Sequence, residues 1–176
     1  LTLSLFTNNR ILEKRSMGTK TLKQLCQCAC GTTKFTIIGE PIVRIACHCK
    51  ICQEFNKTAY ADITIFLSKD VILEDIKTVS LRKYKSPPAV KRGTCIECGK
   101  PAIEFLDLPL FPSLTIIPSQ LIPYGPLLPK LSAHIFYHRR VADIEDELPK
   151  ISGSVKSQLA LSKMLLPGIF NKLINP

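Results

Sequence analysis

The chain carries the segment C-Q-C-A-C-G at residues 26–31. In an extended chain, side chains two positions apart face the same way at about 6.6 Å, so a C-x-C pair can bind one zinc ion. A glycine after a metal-binding cysteine lets the backbone turn tightly beneath the ion. We therefore assign Cys28 and Cys30 to one site, because Gly31 follows them, and Cys26 is left as a spare thiol or for use elsewhere.

A second segment, T-C-I-E-C-G-K-P at residues 94–101, contains the spacing C-x-x-C-G. This spacing is typical of a zinc knuckle, whose turn directs both sulfur atoms at one metal ion. Combined with the C-x-C pair, it predicts a closed tetrahedral site, which is structural because no coordination position is open. The predicted ligands of this site are Cys28, Cys30, Cys95 and Cys98.

A third segment, C-H-C-K-I-C at residues 47–52, places three thiols directly after a β-type run. Three protein ligands with an open fourth position are typical of a catalytic zinc ion. The predicted catalytic residues and metal ligands of this site are Cys47, Cys49 and Cys52. Two alternatives stay open: Cys26 could close a second structural site, or the thiols could form a reactive set without metal. His48 is interpreted as a structural imidazole rather than a ligand, because an extended chain turns it away from both neighbouring cysteines.

The composition excludes several classes of protein. The chain has 176 residues, of which 45% are hydrophobic and eight are cysteine. It is too hydrophobic for a disordered protein, and no apolar stretch approaches the about 18 residues of a membrane span. The cysteines lie in three tight groups, unlike those of a small secreted disulfide scaffold, and the N-terminal segment lacks the features of a secretory signal. We therefore expect zinc thiolates rather than disulfides, and a cytoplasmic location.

Short β-type runs predict a mainly β fold of antiparallel sheets. The predicted strands cover residues 33–38, 42–46, 59–67, 78–84, 102–106 and 133–137, with a short strand at 114–117. Residues 82–92 are expected to form a basic loop around Pro87 and Pro88. Prolines at positions 109, 112, 118, 123, 126 and 129 argue against central strand pairing at those points.

The predicted organisation has three parts. Residues 1–20 are expected to be an N-terminal extension, and residues 21–150 to form the zinc-binding domain of catalytic type. Residues 151–176 are expected to be a tail, with a basic helix over residues 155–166 that ends at Pro167-Gly168.

The cysteine segments also carry a family resemblance over about residues 22–150. The segments are C-A-C-G-T-T-K-F (28–35), C-H-C-K-I-C (47–52), Y-K-S-P-P-A-V-K-R-G-T-C-I-E-C-G (84–99), H-I-F-Y (134–137) and D-E-L-P (146–149). In this order they resemble the glutathione-dependent formaldehyde-activating enzymes, a family that includes centromere protein V-like proteins. The resemblance implies a β-tent fold, in which two antiparallel sheets meet over zinc.

The resemblance further implies two zinc ions and an activity. The first, structural ion would be held by Cys28, Cys30, Cys95 and Cys98, and the second, more labile ion by Cys47, Cys49 and Cys52. Family members act as carbon–sulfur lyases that join formaldehyde and glutathione into S-hydroxymethylglutathione. The expected partners are therefore a thiol such as glutathione and a small aldehyde such as formaldehyde.

The basic side chains suggest how a substrate or another partner could bind. Glutathione carboxylates could be held by Lys83, Lys85, Lys91 and Arg92. The formal net charge of +10 also leaves an alternative, a non-catalytic zinc-binding module that contacts nucleic acid or a protein partner through its basic surface. In a further alternative, a purely structural zinc protein would bind a partner or a membrane surface through its tail helix.

Overall fold

The computed structural model describes residues 23–85, 90–107 and 109–174. Within these residues the chain forms eleven strands and two α-helices, which confirms the predicted mainly β fold class. The strands are β1 (Gln24–Gln27), β2 (Lys34–Ile37), β3 (Val43–Cys47), β4 (Ala61–Leu67), β5 (Val71–Leu73), β6 (Val79–Lys83), β7 (Val90–Cys95), β8 (Pro101–Leu106), β9 (Leu114–Pro118), β10 (His134–Ile135) and β11 (Lys150–Ile151). The helices are α1 (Lys50–Asn56) and α2 (Ser154–Ile174). The predicted extension, residues 1–20, lies outside the described residues.

Eight strands form one large sheet in the order β11-β10-β3-β4-β9-β8-β7-β6. From β3 to β6 all neighbouring strands are antiparallel, whereas β10 runs parallel to both β3 and β11. Strands β1, β2 and β5 form a separate three-stranded antiparallel sheet. The end of β3 and the start of α1 therefore lie next to β10, at a parallel pairing inside the large sheet.

One face of the large sheet is covered by helix α2. Ile63 and Ile65 of β4 belong to a buried apolar cluster that also contains Leu165 and Ile169 of the helix. Since side chains alternate along a strand, these residues share one face of β4. The apolar side of α2 thus covers this core.

The opposite face of β4 packs toward the small sheet. Phe66 belongs to a second buried cluster with Phe35 and Ile37 of β2. Because both faces of β4 are buried, its sequence A-D-I-T-I-F-L lacks the strict alternation of apolar and polar residues that a half-exposed strand would show.

The predicted end of the C-terminal helix at Pro167 is wrong, because α2 continues through this residue to Ile174. A proline removes one backbone hydrogen bond and crowds the preceding turn. Tertiary contacts beyond the proline offset this cost: Ile169 is buried, and the Lys172 ammonium group donates to Asp70 at 2.5 Å. Neither described helix is long and apolar enough to cross a membrane.

Two further local predictions need correction at strand ends. The strand predicted over residues 133–137 is confined to β10, because Phe136 adopts a left-handed conformation with φ of 55° and starts a 3₁₀ turn. Pro118 does pair within the sheet, opposite Ile63. It is the last residue of β9, where a missing N–H interrupts no further hydrogen-bonded ladder.

Much of the predicted basic loop over residues 82–92 belongs to a β-hairpin. Strand β6 reaches Lys83, and β7 begins at Val90, so the basic residues at both ends of the segment are in strands. The register pairs Arg82 with Arg92. Residues 86–89, which include both prolines, lie outside the described residues.

Candidate metal centres

Four thiols from two distant turns converge in one cluster, in which every Sγ atom lies within 4.8 Å of the others. Its members are Cys28, Cys30, Cys95 and Cys98. In the turn after β1, Gly31 has a φ of 81° and its N–H donates to the Cys28 carbonyl at 2.9 Å. In the turn after β7, Gly99 has a φ of 66° and its N–H donates to the Cys95 carbonyl at 2.9 Å. Both glycines therefore supply the left-handed turn that brings each pair of thiols together.

The sulfur separations of this four-cysteine cluster suit metal binding rather than disulfide bonds. The Sγ atoms of Cys28 and Cys30 are 3.4 Å apart, and those of Cys30 and Cys95 are 3.6 Å apart. A disulfide requires about 2.05 Å, whereas Zn–S bonds of about 2.3 Å give a tetrahedral edge of about 3.8 Å. The Thr33 N–H also donates to Cys28 Sγ at 3.3 Å. The donor set fits a divalent metal ion that prefers sulfur.

Three further thiols form a second cluster at the junction of β3 and α1, again with all Sγ atoms within 4.8 Å. Its members are Cys47, Cys49 and Cys52. Cys49 is the N-cap of α1, and its sulfur accepts a hydrogen bond from the Cys52 backbone N–H at 3.4 Å. Cys47 and Cys52 are buried, while Cys49 is half-buried.

The thiols of the three-cysteine cluster share charge unequally. Hydrogen bonds from Cys47 and Cys52 lower the pKa of Cys49, and the backbone N–H of Cys52 adds to this effect. The same hydrogen bonding to Cys49, together with burial, raises the pKa of Cys47. Hydrogen bonding therefore favours the thiolate form of Cys49, the half-buried member of the cluster. Three sulfur donors fit a metal ion and leave one tetrahedral position for another ligand.

A buried ion pair adjoins the three-cysteine cluster. Arg92 of β7 pairs with Glu104 of β8, directly opposite in the register, and also donates from Nη2 to Cys52 Sγ at 3.7 Å. Burial raises the pKa of Glu104 to about 7, although Arg92 opposes this shift. The Arg92 guanidinium lies over the Phe55 ring of α1, 5.5 Å from its centroid.

His48 points away from the cysteines and joins a series of hydrogen bonds with His134 and Asp146. Its Nε2 lies 3.0 Å from His134 Nδ1, and His134 Nε2 lies 2.8 Å from an Asp146 carboxylate oxygen. The Asp146 carboxylate accepts, so His134 Nε2 is the donor of that bond. In the tautomer that carries its proton on Nε2, His134 accepts at Nδ1 and His48 donates from Nε2. Burial, with the charges of His134 and Arg140, lowers the pKa of His48 to about 4. The interpretation as a structural imidazole holds for Nε2, whereas the buried Nδ1 has no hydrogen-bond partner among the described residues.

Residues 23–137 match the sequence model of the glutathione-dependent formaldehyde-activating enzyme family. The chain belongs to this family. The resemblance carried by the cysteine segments is thereby confirmed. No curated protein matches the chain. Among solved structures, it is similar to the crystal structure of a Rhodobacter sphaeroides protein, with 14% identity and a TM-score of 0.46, over 58% of this chain and 90% of that one.

The position of Cys26 tests the alternative in which this thiol is a fourth ligand that closes a second structural site in this family member. Its thiol is buried beside Phe35 and Ile117 and belongs to neither cysteine cluster. Burial raises the pKa of Cys26 to about 11, so it stays a protonated thiol at neutral pH. The alternative of a fourth thiolate from Cys26 therefore gains no support from the geometry.

The predicted basic side chains separate into two kinds. Arg92 is buried in its ion pair, and Lys91 pairs with Asp107 at 3.3 Å. Lys83 and Lys85 are exposed, and no ion pair joins either to another described side chain. Tyr84, between these two lysines, packs edge-on against Phe55 of α1 with ring centroids 5.9 Å apart. The basic end of β6 therefore lies beside the helix that carries Cys52.

Sequence analysis missed two polar partnerships near the clusters. Glu104 lies in the apolar run A-I-E-F-L, where a carboxylate among apolar residues could have indicated a buried partner. The link between His48 and His134 depends on the parallel pairing of β3 with β10, which no local pattern reveals. That both clusters bind zinc stays a prediction.

Proposed function

We propose that this chain binds one zinc ion in each cysteine cluster and acts as a carbon–sulfur lyase of its family. The substrates would be a thiol such as glutathione and a small aldehyde such as formaldehyde. The observation that carries the proposal is the contrast between one cluster of four thiols and a second cluster of three, of which Cys49 is half-buried.

The number of donors suggests different roles for the two ions. Four thiolates complete a tetrahedral shell, which suits a structural ion. Three thiolates leave one position for a substrate sulfur or oxygen, where bound zinc would act as a Lewis acid and favour the thiolate form of a substrate thiol. We therefore assign catalysis to Cys47, Cys49 and Cys52.

The proposed reaction is an addition that needs no oxidant or reductant. The substrate sulfur forms a bond to the aldehyde carbon, the C=O π bond breaks, and the proton lost from sulfur ends on the new hydroxyl oxygen. The reverse reaction releases thiol and aldehyde. Burial of Cys47 and Cys52 keeps water away from one side of the cluster, whereas Cys49 lies on the side from which a substrate could enter.

Lys83 and Lys85 are the proposed contacts for the carboxylates of glutathione. Both are exposed, and the packing of Tyr84 against Phe55 holds their segment beside α1. Lys91 and Arg92 are not available for this role, because each already pairs with a carboxylate.

The test is catalysed loss of formaldehyde in the presence of glutathione, followed by NMR with isotopically labelled formaldehyde and corrected for the spontaneous rate. Zinc-loaded wild type should exceed the spontaneous rate, and Cys49→Ser should return to it while keeping the fold. Cys26→Ala is the matched control, because this thiol lies in neither cluster. Equal turnover by Cys49→Ser and wild type would contradict the proposal.

A further inference from the structure

The ion pair between Arg92 and Glu104 is unusual because Glu104 is fully buried and Arg92 is largely shielded from solvent. The Arg92 side chain is 11% exposed and that of Glu104 is 1% exposed. Removing two charges from water costs several kcal/mol per ion, and an apolar pair of similar volume is often at least as stable. Burial of this pair therefore gives the fold no evident advantage over two apolar side chains.

The carboxylate of Glu104 is also incompletely satisfied. One oxygen, Oε2, accepts from Arg92, whereas the buried Oε1 has no hydrogen-bond partner among the described residues. A buried polar atom without a partner costs about 1–3 kcal/mol. This cost indicates that the ion pair has a role other than stabilising the pairing of β7 with β8.

The second contact of Arg92 indicates what that role is. Its Nη1 donates to Glu104, while its Nη2 lies 3.7 Å from the sulfur of Cys52, within hydrogen-bond reach for sulfur. Phe55, three residues after Cys52 on α1, packs under the same guanidinium. A planar fork with fixed donors can hold two acceptors at once, which a single ammonium group cannot do with the same geometry.

Charge supports the same conclusion. A divalent ion with three thiolates carries a net charge of about −1, which a low-dielectric site tolerates poorly without a nearby cation. Arg92 is the cation that contacts this cluster, and the four-cysteine cluster has no corresponding arginine among the contacts of the described residues.

We propose that Arg92, fixed by Glu104 and Phe55, is a positioning residue that holds Cys52 and the charge of the three-cysteine cluster so that this cluster retains its metal ion. The inference rests on the proposed function, because it requires that the cluster binds metal. Glu104 acts through Arg92 rather than on the sulfur atoms. Partners of metal ligands typically change metal affinity by about 10–100-fold when they are altered.

The test uses cadmium-loaded full-length protein, because ¹¹³Cd NMR gives a separate signal for each thiolate site, and chelator competition gives each affinity. Arg92→Lys keeps the positive charge but loses the fork. We expect about 10–100-fold weaker binding at the three-cysteine cluster and a shifted signal, with the other cluster unchanged. Arg44→Lys is the control, because Arg44 also pairs with a carboxylate across neighbouring strands, that of Asp62, and contacts no cysteine.

Glu104→Gln provides a second variant that leaves Arg92 in place. As a single substitution, it should weaken cadmium binding at the three-cysteine cluster. Added to Arg92→Met, it should weaken cadmium binding no further, because Glu104 acts only through Arg92. Unchanged affinity and signal in Arg92→Lys, or an equal loss at both clusters, would overturn the inference. A wild-type protein with no ¹¹³Cd signal from the three-cysteine cluster would instead overturn the proposed function itself.

Discussion

The two cysteine clusters differ in how the chain brings their sulfur atoms together. The four-cysteine cluster joins a turn of the small sheet to a turn of the large sheet, with Cys30 and Cys95 separated by 65 positions in the sequence. The three-cysteine cluster is local, since its thiols come from six consecutive residues at the junction of β3 and α1. A link that closes a long loop restricts the unfolded chain, whereas a local site does so far less. We therefore expect a bound metal ion to contribute more to stability at the four-cysteine cluster than at the three-cysteine cluster.

The largest expected effect follows from this difference in loop length. Cys98→Ser should lower the free energy of unfolding by several kcal/mol. This loss is a large part of the total free energy of unfolding of a typical domain, which is about 5–15 kcal/mol. Cys49→Ser should change it by less than about 2 kcal/mol, because the half-buried Cys49 closes no long loop. Urea denaturation of the two zinc-loaded variants measures both values, and equal losses would remove the distinction between the clusters.

A smaller effect is the pH dependence of the stability contributed by Glu104, which lies beside the three-cysteine cluster. Burial raises the pKa of Glu104 from 4.5 to about 7, so the folded state binds this proton more tightly than the unfolded state. Its contribution to stability is therefore fully present below about pH 4.5 and is lost as the pH rises to about 7, with a total of about 3 kcal/mol.

Denaturation of wild type and Glu104→Gln across this pH range measures that contribution. The stability of wild type relative to the variant should fall with rising pH. Glu54→Gln, an exposed carboxylate of α1, reports the general effect of removing one negative charge. A constant difference between wild type and Glu104→Gln from pH 4.5 to pH 7 would refute the assignment.

The smallest expected effect lies at the exposed lysines beside the three-cysteine cluster. Exposed ion pairs contribute about 0.2–1 kcal/mol each, so replacing both Lys83 and Lys85 with glutamine should raise the KM for glutathione by about twofold to thirtyfold. The kcat should be unchanged, because neither lysine touches the thiols. Replacing the exposed residues Lys69 and Lys77 changes the net charge equally and should leave KM unaltered. An equal rise in both double variants would indicate general electrostatics instead of a contact.

The sequence predicted both cysteine clusters because the spacing of their thiols is a local feature, and for the four-cysteine cluster so are the glycines that follow. Gly31 and Gly99 have the left-handed conformations that the turns require, and each strand predicted from a β-type run is present at least in part. Local sequence patterns thus predicted most strands of the sheets and the grouping of the thiols.

The parts that sequence analysis missed depend on tertiary pairing. The contact between Arg92 and Glu104 needs the register of β7 and β8, and the contact between His48 and His134 needs a parallel pairing across 86 residues. Likewise, helix α2 passes Pro167 because packing of its later residues outweighs the local preference to end there.

The central claim is most directly tested by counting zinc ions with native mass spectrometry of the purified full-length chain. We predict two ions in wild type, and one ion in Cys49→Ser, whose four-cysteine cluster is intact. Graded addition of a chelator should remove the wild-type ions in two steps, with the first loss giving the same mass as zinc-bound Cys49→Ser after correction for the substitution. A single ion in wild type, or disulfide bonds among Cys28, Cys30, Cys95 and Cys98, would contradict the account.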